Sequence, residues 1–78
     1  MSKVTREPED GYKSGVFNDF DVNGGYAYRD GGEVIGYAVD ITYKLSKTRK
    51  VHVHDADVNL IKVLPNMVKA DALMGLSD

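Results

Sequence analysis

The stretch spanning residues 35–45, IGYAVDITYKL, constrains this chain more than any other. Its odd positions, Ile35, Tyr37, Val39, Ile41, Tyr43 and Leu45, are all large and apolar or aromatic. Its even positions, Gly36, Ala38, Asp40, Thr42 and Lys44, are small, polar or charged. Apolar residues at period two specify a strand with one buried and one solvated face, because successive side chains of an extended chain point to opposite sides. A helix would scatter the same residues around its circumference, and the β-branched and aromatic content suits a pleated surface. We therefore expect a long central strand over residues 33–45, its six odd residues in the core and a bend or bulge at Gly36.

Turn chemistry divides the chain on either side of this strand. Residues 1–12 contain Pro8 and a run of charge without periodicity, and read as a flexible arm. From Ser14 a first strand is expected, with Val16, Phe20 and Val22 on one face, Asp19 and Asp21 on the other, and Phe17 turned outward. Asn23-Gly24-Gly25 and Asp30-Gly31-Gly32 both have the residues of tight hairpin turns and bracket a short strand over residues 26–29. Beyond the central strand, Ser46-Lys47-Thr48 forms a turn. A fourth strand over residues 49–54 follows, with Val51 and Val53 inward and Lys50, His52 and His54 outward. The apolar phase slips after Asp55-Ala56-Asp57, which a short helical turn before a closing strand would explain. Pro65 then opens a short helix that Gly75 ends, with Met67, Ala70 or Asp71, and Met74 along one side.

Consecutive strands joined by short turns make an antiparallel meander. The expected fold is mainly β: about five strands in an SH3-like barrel or strongly bent sheet spanning residues 13–64, with a short C-terminal helix and tail over 65–78. An open meander with the helix lying across one face is the alternative. At 78 residues there is room for one domain. The absence of cysteine excludes disulfides, thiolate metal sites and thiol nucleophiles, and in so small a domain favours a reducing cytoplasm. No apolar run reaches the roughly 20 residues that span a bilayer, and no signal peptide is visible.

The residues offer little catalytic chemistry. Ser14, Ser46 and Ser77 lack the glycine-flanked elbow of an activated serine. The carboxylate pairs Asp19/Asp21 and Asp55/Asp57 sit in segments expected to be wet, where their acidity stays ordinary. The glycine-rich turns lead into strands, whereas phosphate-cradling loops lead into helices. His52 and His54, two positions apart on one strand, share a face and are weak candidates for a metal site. They are the only histidines in the sequence, so a third nitrogen ligand does not exist. We expect no enzyme activity and no cofactor.

What remains is charge. Glu7, Glu9, Asp10, Asp19 and Asp21 make the first quarter acidic, while Lys44, Lys47, Arg49 and Lys50 gather at one hairpin, within a net charge of −2. Carboxylates around an outward Phe17 suit a basic protein groove or mimic a row of phosphates. The four cations, with nearby tyrosines, suit phosphates and stacked bases. The preferred expectation is a small interaction protein that binds a larger protein partner and modulates or inhibits it, through Phe17, Asp19, Asp21 and the basic hairpin. Chains of this kind are similar to those that phages and mobile elements encode, an analogy of size and composition only. The alternative is an SH3-like nucleic-acid-binding module using Lys44, Lys47, Arg49 and Lys50. Pairing of exposed strand edges into a homodimer is compatible with either.

Overall fold

Asp30 pairs with Glu33 across Gly31 and Gly32, whose φ angles are +61° and +91°. Two consecutive positive φ values match the right-handed twist of the flanking strands, and glycine adopts them at no steric cost. This turn joins the two longest strands of a computed structural model that describes residues 3–9 and 20–76. In chain order the elements are β1 (Val4–Pro8), β2 (Phe20–Asp30), β3 (Glu33–Tyr43), β4 (Arg49–Asp55), β5 (Leu60–Leu64) and α1 (Met67–Met74). The strands form one antiparallel sheet in the order β1-β2-β3-β4-β5, with α1 packed across one face. β1 and β5 lie at opposite edges and are not paired with each other, so the sheet is open and no barrel closes among the described residues.

Several expectations are corrected by this arrangement. Val4–Pro8, inside the stretch read as an arm, pair with β2 as an edge strand. Asn23-Gly24-Gly25 is not a hairpin turn: Val22 faces Ile41 and Gly24 faces Asp40, so Asn23 is the extra residue of a bulge within one 11-residue strand. A bulge lets the strand bend without ending, and glycine beside it serves that bend as well as it would a turn. Residues 14–19, the first part of the expected first strand, lie outside the described residues.

The central strand departs from the expected alternation. Val39 and Ile41 are buried, and Tyr37 and Tyr43 are half-buried. Leu45 lies beyond the strand, in the β3–β4 turn, and is fully exposed. Ile35 is a bulge residue between the pairs Tyr28–Gly36 and Arg29–Val34, and it packs with the opposite face. That opposite face, expected in solvent, is buried at Gly36, Ala38 and Asp40.

The reason is α1. It lies over the even residues of β3, where an apolar core cluster joins Tyr28, Ala38, Val51, Val53, Leu64 and Ala70, flanked by Met67, Met74 and Leu76. Val51 and Val53 are inward as expected, but they stand opposite Asp40 and Ala38, on this helix-covered face. Gly36 permits the contact, since a Cβ there would stand 2.5 Å from Met74 Cε and 2.7 Å from the His54 carbonyl oxygen. Small residues on β3 mark the seat of the helix rather than a solvated face.

An eight-residue helix is too short to be stable alone, so α1 depends on its caps and this seat. The Asn66 side chain accepts from Lys69 N at 3.0 Å. At the other end Gly75 N donates to Ala72 O and Leu76 N to Asp71 O, the paired bonds of a Schellman ending, which also turn Leu76 onto the core. Asp71 ties the helix to the sheet. It accepts from both Arg6 on β1 and the fully buried Tyr28 on β2, each at 2.7 Å.

Candidate interaction surface

The two edges of the sheet differ in character. β1, VTREP, carries Arg6 and Glu7 and ends on Pro8, which has no N–H to offer a further strand. Its charges are engaged, Arg6 with Asp71 and Glu7 with Arg29. β5, LIKVL, holds a single charge, and among the described residues nothing pairs with its outer edge. Leu60, Ile61 and Val63 are 54%, 52% and 45% exposed. Natural sheets blunt their edges with charge, proline or cover, and an apolar edge left open marks a place where another chain can pair.

The register with β4 places the β5 side chains. Leu64 faces Val51 and is buried beneath α1, Val63 faces His52, Lys62 faces Val53 and Leu60 faces His54. Ile61 is the extra residue of a bulge. The turn that precedes β5 is built on Asp55, whose carboxylate accepts from Asp57 N and Asn59 N at 2.9 Å and from Asn59 Nδ2 at 3.3 Å. These bonds, the Asn59 backbone foremost, hold the Asp55 carboxyl below the ordinary range. The expected helical turn is this hydrogen-bonded loop, which forces Val58 to φ +67° while leaving its side chain 54% exposed. A β-branched residue in the left-handed region is a true outlier, costing of order 1 kcal/mol, and such strain gathers where function requires it. Val58, Leu60, Ile61 and Val63 thus extend an apolar strip from the turn along the edge.

The sequence-predicted site residues are dispersed. Phe17 and Asp19 lie outside the described residues. Asp21 is exposed on β2 and stands 3.7 Å from Lys44 Nζ. Arg49 does not project freely. Its Nε and Nη2 clasp the Asp40 carboxylate at 2.9 and 2.6 Å, and Asp40 is buried, with Asn23 Nδ2 also near it. That clasp raises the Arg49 pKa further and fixes the side chain at the rim of a cleft of about 250 Å³ between Val51 and the start of α1. Lys47 is exposed at the turn with φ +59°, and Lys50 is half-buried opposite Ile41. Two of the four cations of the expected basic cluster therefore meet carboxylates.

Nor do the tyrosines form a stacking platform beside them. Tyr28 has no exposed surface, and its hydroxyl is pushed above its ordinary acidity range by burial and by the bond to Asp71. Tyr26 is half-buried with the Arg6 guanidinium 4.9 Å above its ring. His52 and His54 are half-buried rather than solvent-facing. His52 Nε2 lies 3.1 Å from Tyr43 Oη, within an aromatic group that includes Phe20, and burial lowers its pKa, with His54 adding to the effect. Among the described residues no three metal-ligating side chains come together.

The apolar edge was missed by sequence reasoning because LIKVL reads as core. Its signal lay in position rather than composition: a last strand followed at once by a helix that covers only one face. No protein-family model, curated protein or solved structure matches the chain.

Proposed function

We propose that this protein is a non-enzymatic interaction module that binds a larger protein and modulates or inhibits it, docking through the β5 edge and the Val58 turn. The observation that carries this reading is the contrast between the edges: β1 is closed by charge and Pro8, while β5 is apolar, exposed and, among the described residues, open. Strand addition takes its affinity from main-chain hydrogen bonds and its specificity from side chains on either face, and it needs no deep pocket. A chain of this size has difficulty building both a core and a large cavity, which also favours a docking surface over a catalytic site. A nucleic-acid-binding role for the 44–50 hairpin draws less support, because Arg49 and Lys44 face Asp40 and Asp21. Among the described residues no helix is long and apolar enough to cross a membrane. The expected cytoplasmic setting and the likeness to phage-type modulators rest on composition alone.

The test is a tagged pull-down from cell lysate, with and without nuclease, using the natural chain and two variants. One carries Ile61→Lys and Val63→Lys; the other carries glutamate at Lys44, Lys47, Arg49 and Lys50. Capture of a defined protein that survives nuclease, is lost with the β5 variant and is kept with the charge-reversed one is the expected result. Recovery that disappears with nuclease and with the charge-reversed variant would overturn the proposal in favour of phosphate recognition.

A further inference from the structure

We infer, building on the docking role of β5 proposed above, that its occupant is an extended strand of a partner protein bearing an acidic side chain opposite Lys62, and that Lys62 turns away a second copy of this chain. Lys62 is the middle residue of β5 and its only charge. It is exposed and stands opposite Val53, on the face that carries α1. In antiparallel pairing, residues directly opposite share a face with Cβ atoms ~4.5–5.5 Å apart, so an added strand centred here sets one side chain against the ammonium group. A carboxylate there is favourable, and a cation is repelled.

The same geometry disfavours self-association. Two copies paired edge to edge are related by a two-fold axis normal to the sheet. Because opposite residues must share a face, the axis passes through a residue and not between two. Centred on Lys62, the pairing sets Lys62 against itself. Centred on Ile61, it would set Lys62 against Leu60, which the bulge at Ile61 places on opposite faces, as their partners Val53 and His54 show, so this register does not pair. Centred on Val63, it sets Lys62 against Leu64 and brings Ile61 opposite Pro65, which has no N–H to donate. A strand with apolar residues facing Ile61 and Val63 and an acid facing Lys62 meets none of these conflicts. β1 provides no rival edge, since Arg6 is held by Asp71 and the strand ends on Pro8.

The experiment titrates the isotope-labelled full chain with two capped peptides at millimolar concentration, Ser-Thr-Val-Glu-Val-Thr-Ser and the same peptide with lysine at the centre. Amide shifts and hydrogen exchange are read residue by residue, and sedimentation is followed in parallel. The expected result is perturbation of the amides of residues 60–64, binding about fivefold tighter for the glutamate peptide, and loss of that preference in Lys62→Gln. The natural chain should sediment as a monomer, and Lys62→Val should move it towards dimer. Equal binding of both peptides at β5 would overturn the acidic preference while leaving the docking edge in place. Failure of either peptide to perturb β5 would remove the docking edge itself. Dimerisation of the natural chain with protection of the β5 amides would name a second copy as the occupant and overturn the inference.

Discussion

Asp71 fastens α1 to the sheet, and replacing it measures that attachment. In Asp71→Ala the Tyr28 hydroxyl, on a side chain with no exposed surface, loses its acceptor, and Arg6 loses both of its bonds. A buried hydroxyl left unpaired costs about 1–3 kcal/mol. The ion pair adds at most ~1 kcal/mol, because solvent screens it; the Arg6 side chain is 32% exposed and that of Asp71 21%. The sum is roughly 1–4 kcal/mol, against the ~4–12 kcal/mol expected of a chain this length, so the variant should still fold over most of that range. With a urea slope of roughly 1 kcal/mol/M, the unfolding midpoint should fall by about 1–4 M. Tyr28→Phe in the same background should recover part of the loss, since removing both partners of a buried hydrogen bond is nearly neutral. A double-mutant cycle should therefore give a Tyr28–Asp71 coupling of about 1–2 kcal/mol. A midpoint shift below ~0.5 M with no coupling would refute the reasoning, and with it the placement of α1 that leaves β5 as the open edge.

Gly36→Ala should destabilise the domain by about 1–3 kcal/mol in urea unfolding, because its Cβ meets backbone at the His54 carbonyl and not only the yielding end of Met74. Gly36→Ala combined with Met74→Ala should remain less stable than Met74→Ala alone. Arg49→Gln should lower thermal stability clearly more than Lys47→Gln, since only the first leaves the buried Asp40 carboxylate without its bidentate partner. Stability should also fall as the pH drops from 7 to 5. Burial first, and His54 second, hold the His52 pKa below its ordinary value of 6.5. The unfolded chain therefore takes up a proton that the folded chain resists, and His52→Gln should flatten the dependence of urea midpoint on pH over that range.

The parts of this fold legible in the sequence are those set by local chemistry. Gly31-Gly32 makes the turn it must, Gly75 ends the helix, and Val51 and Val53 are core because their own alternation says so. The residues that misled are those whose meaning depends on a distant partner. Gly36 and Ala38 look like a solvated face until α1, more than 25 residues later in the chain, covers them. Ile35 follows the alternation in sequence, yet a bulge moves it to the other face. Arg49 counts as a free cation until the register sets it beside Asp40, which alternation assigns to solvent and the helix buries. For the candidate surface the problem reverses: Leu60, Ile61 and Val63 are core-like in composition, and only the strand order reveals that β5 has no neighbour beyond it among the described residues.

Val58 separates a folding explanation of that surface from a functional one. A valine at φ +67° is strained, and with its side chain 54% exposed it gains little from burial in return. Asparagine tolerates the left-handed region and avoids the larger backbone entropy loss of glycine. Val58→Asn should therefore stabilise the domain by about 1 kcal/mol, seen as a urea midpoint raised by ~0.5–1 M. The same substitution removes the apolar tip of the β5 strip and should weaken partner capture, as Ile61→Lys with Val63→Lys does. Stability gained together with binding lost is the combination expected of a residue kept for a surface rather than for the fold. If Val58→Asn instead lowers the midpoint, the valine side chain stabilises its own domain, the strain serves the hairpin alone, and the strip ends at Leu60.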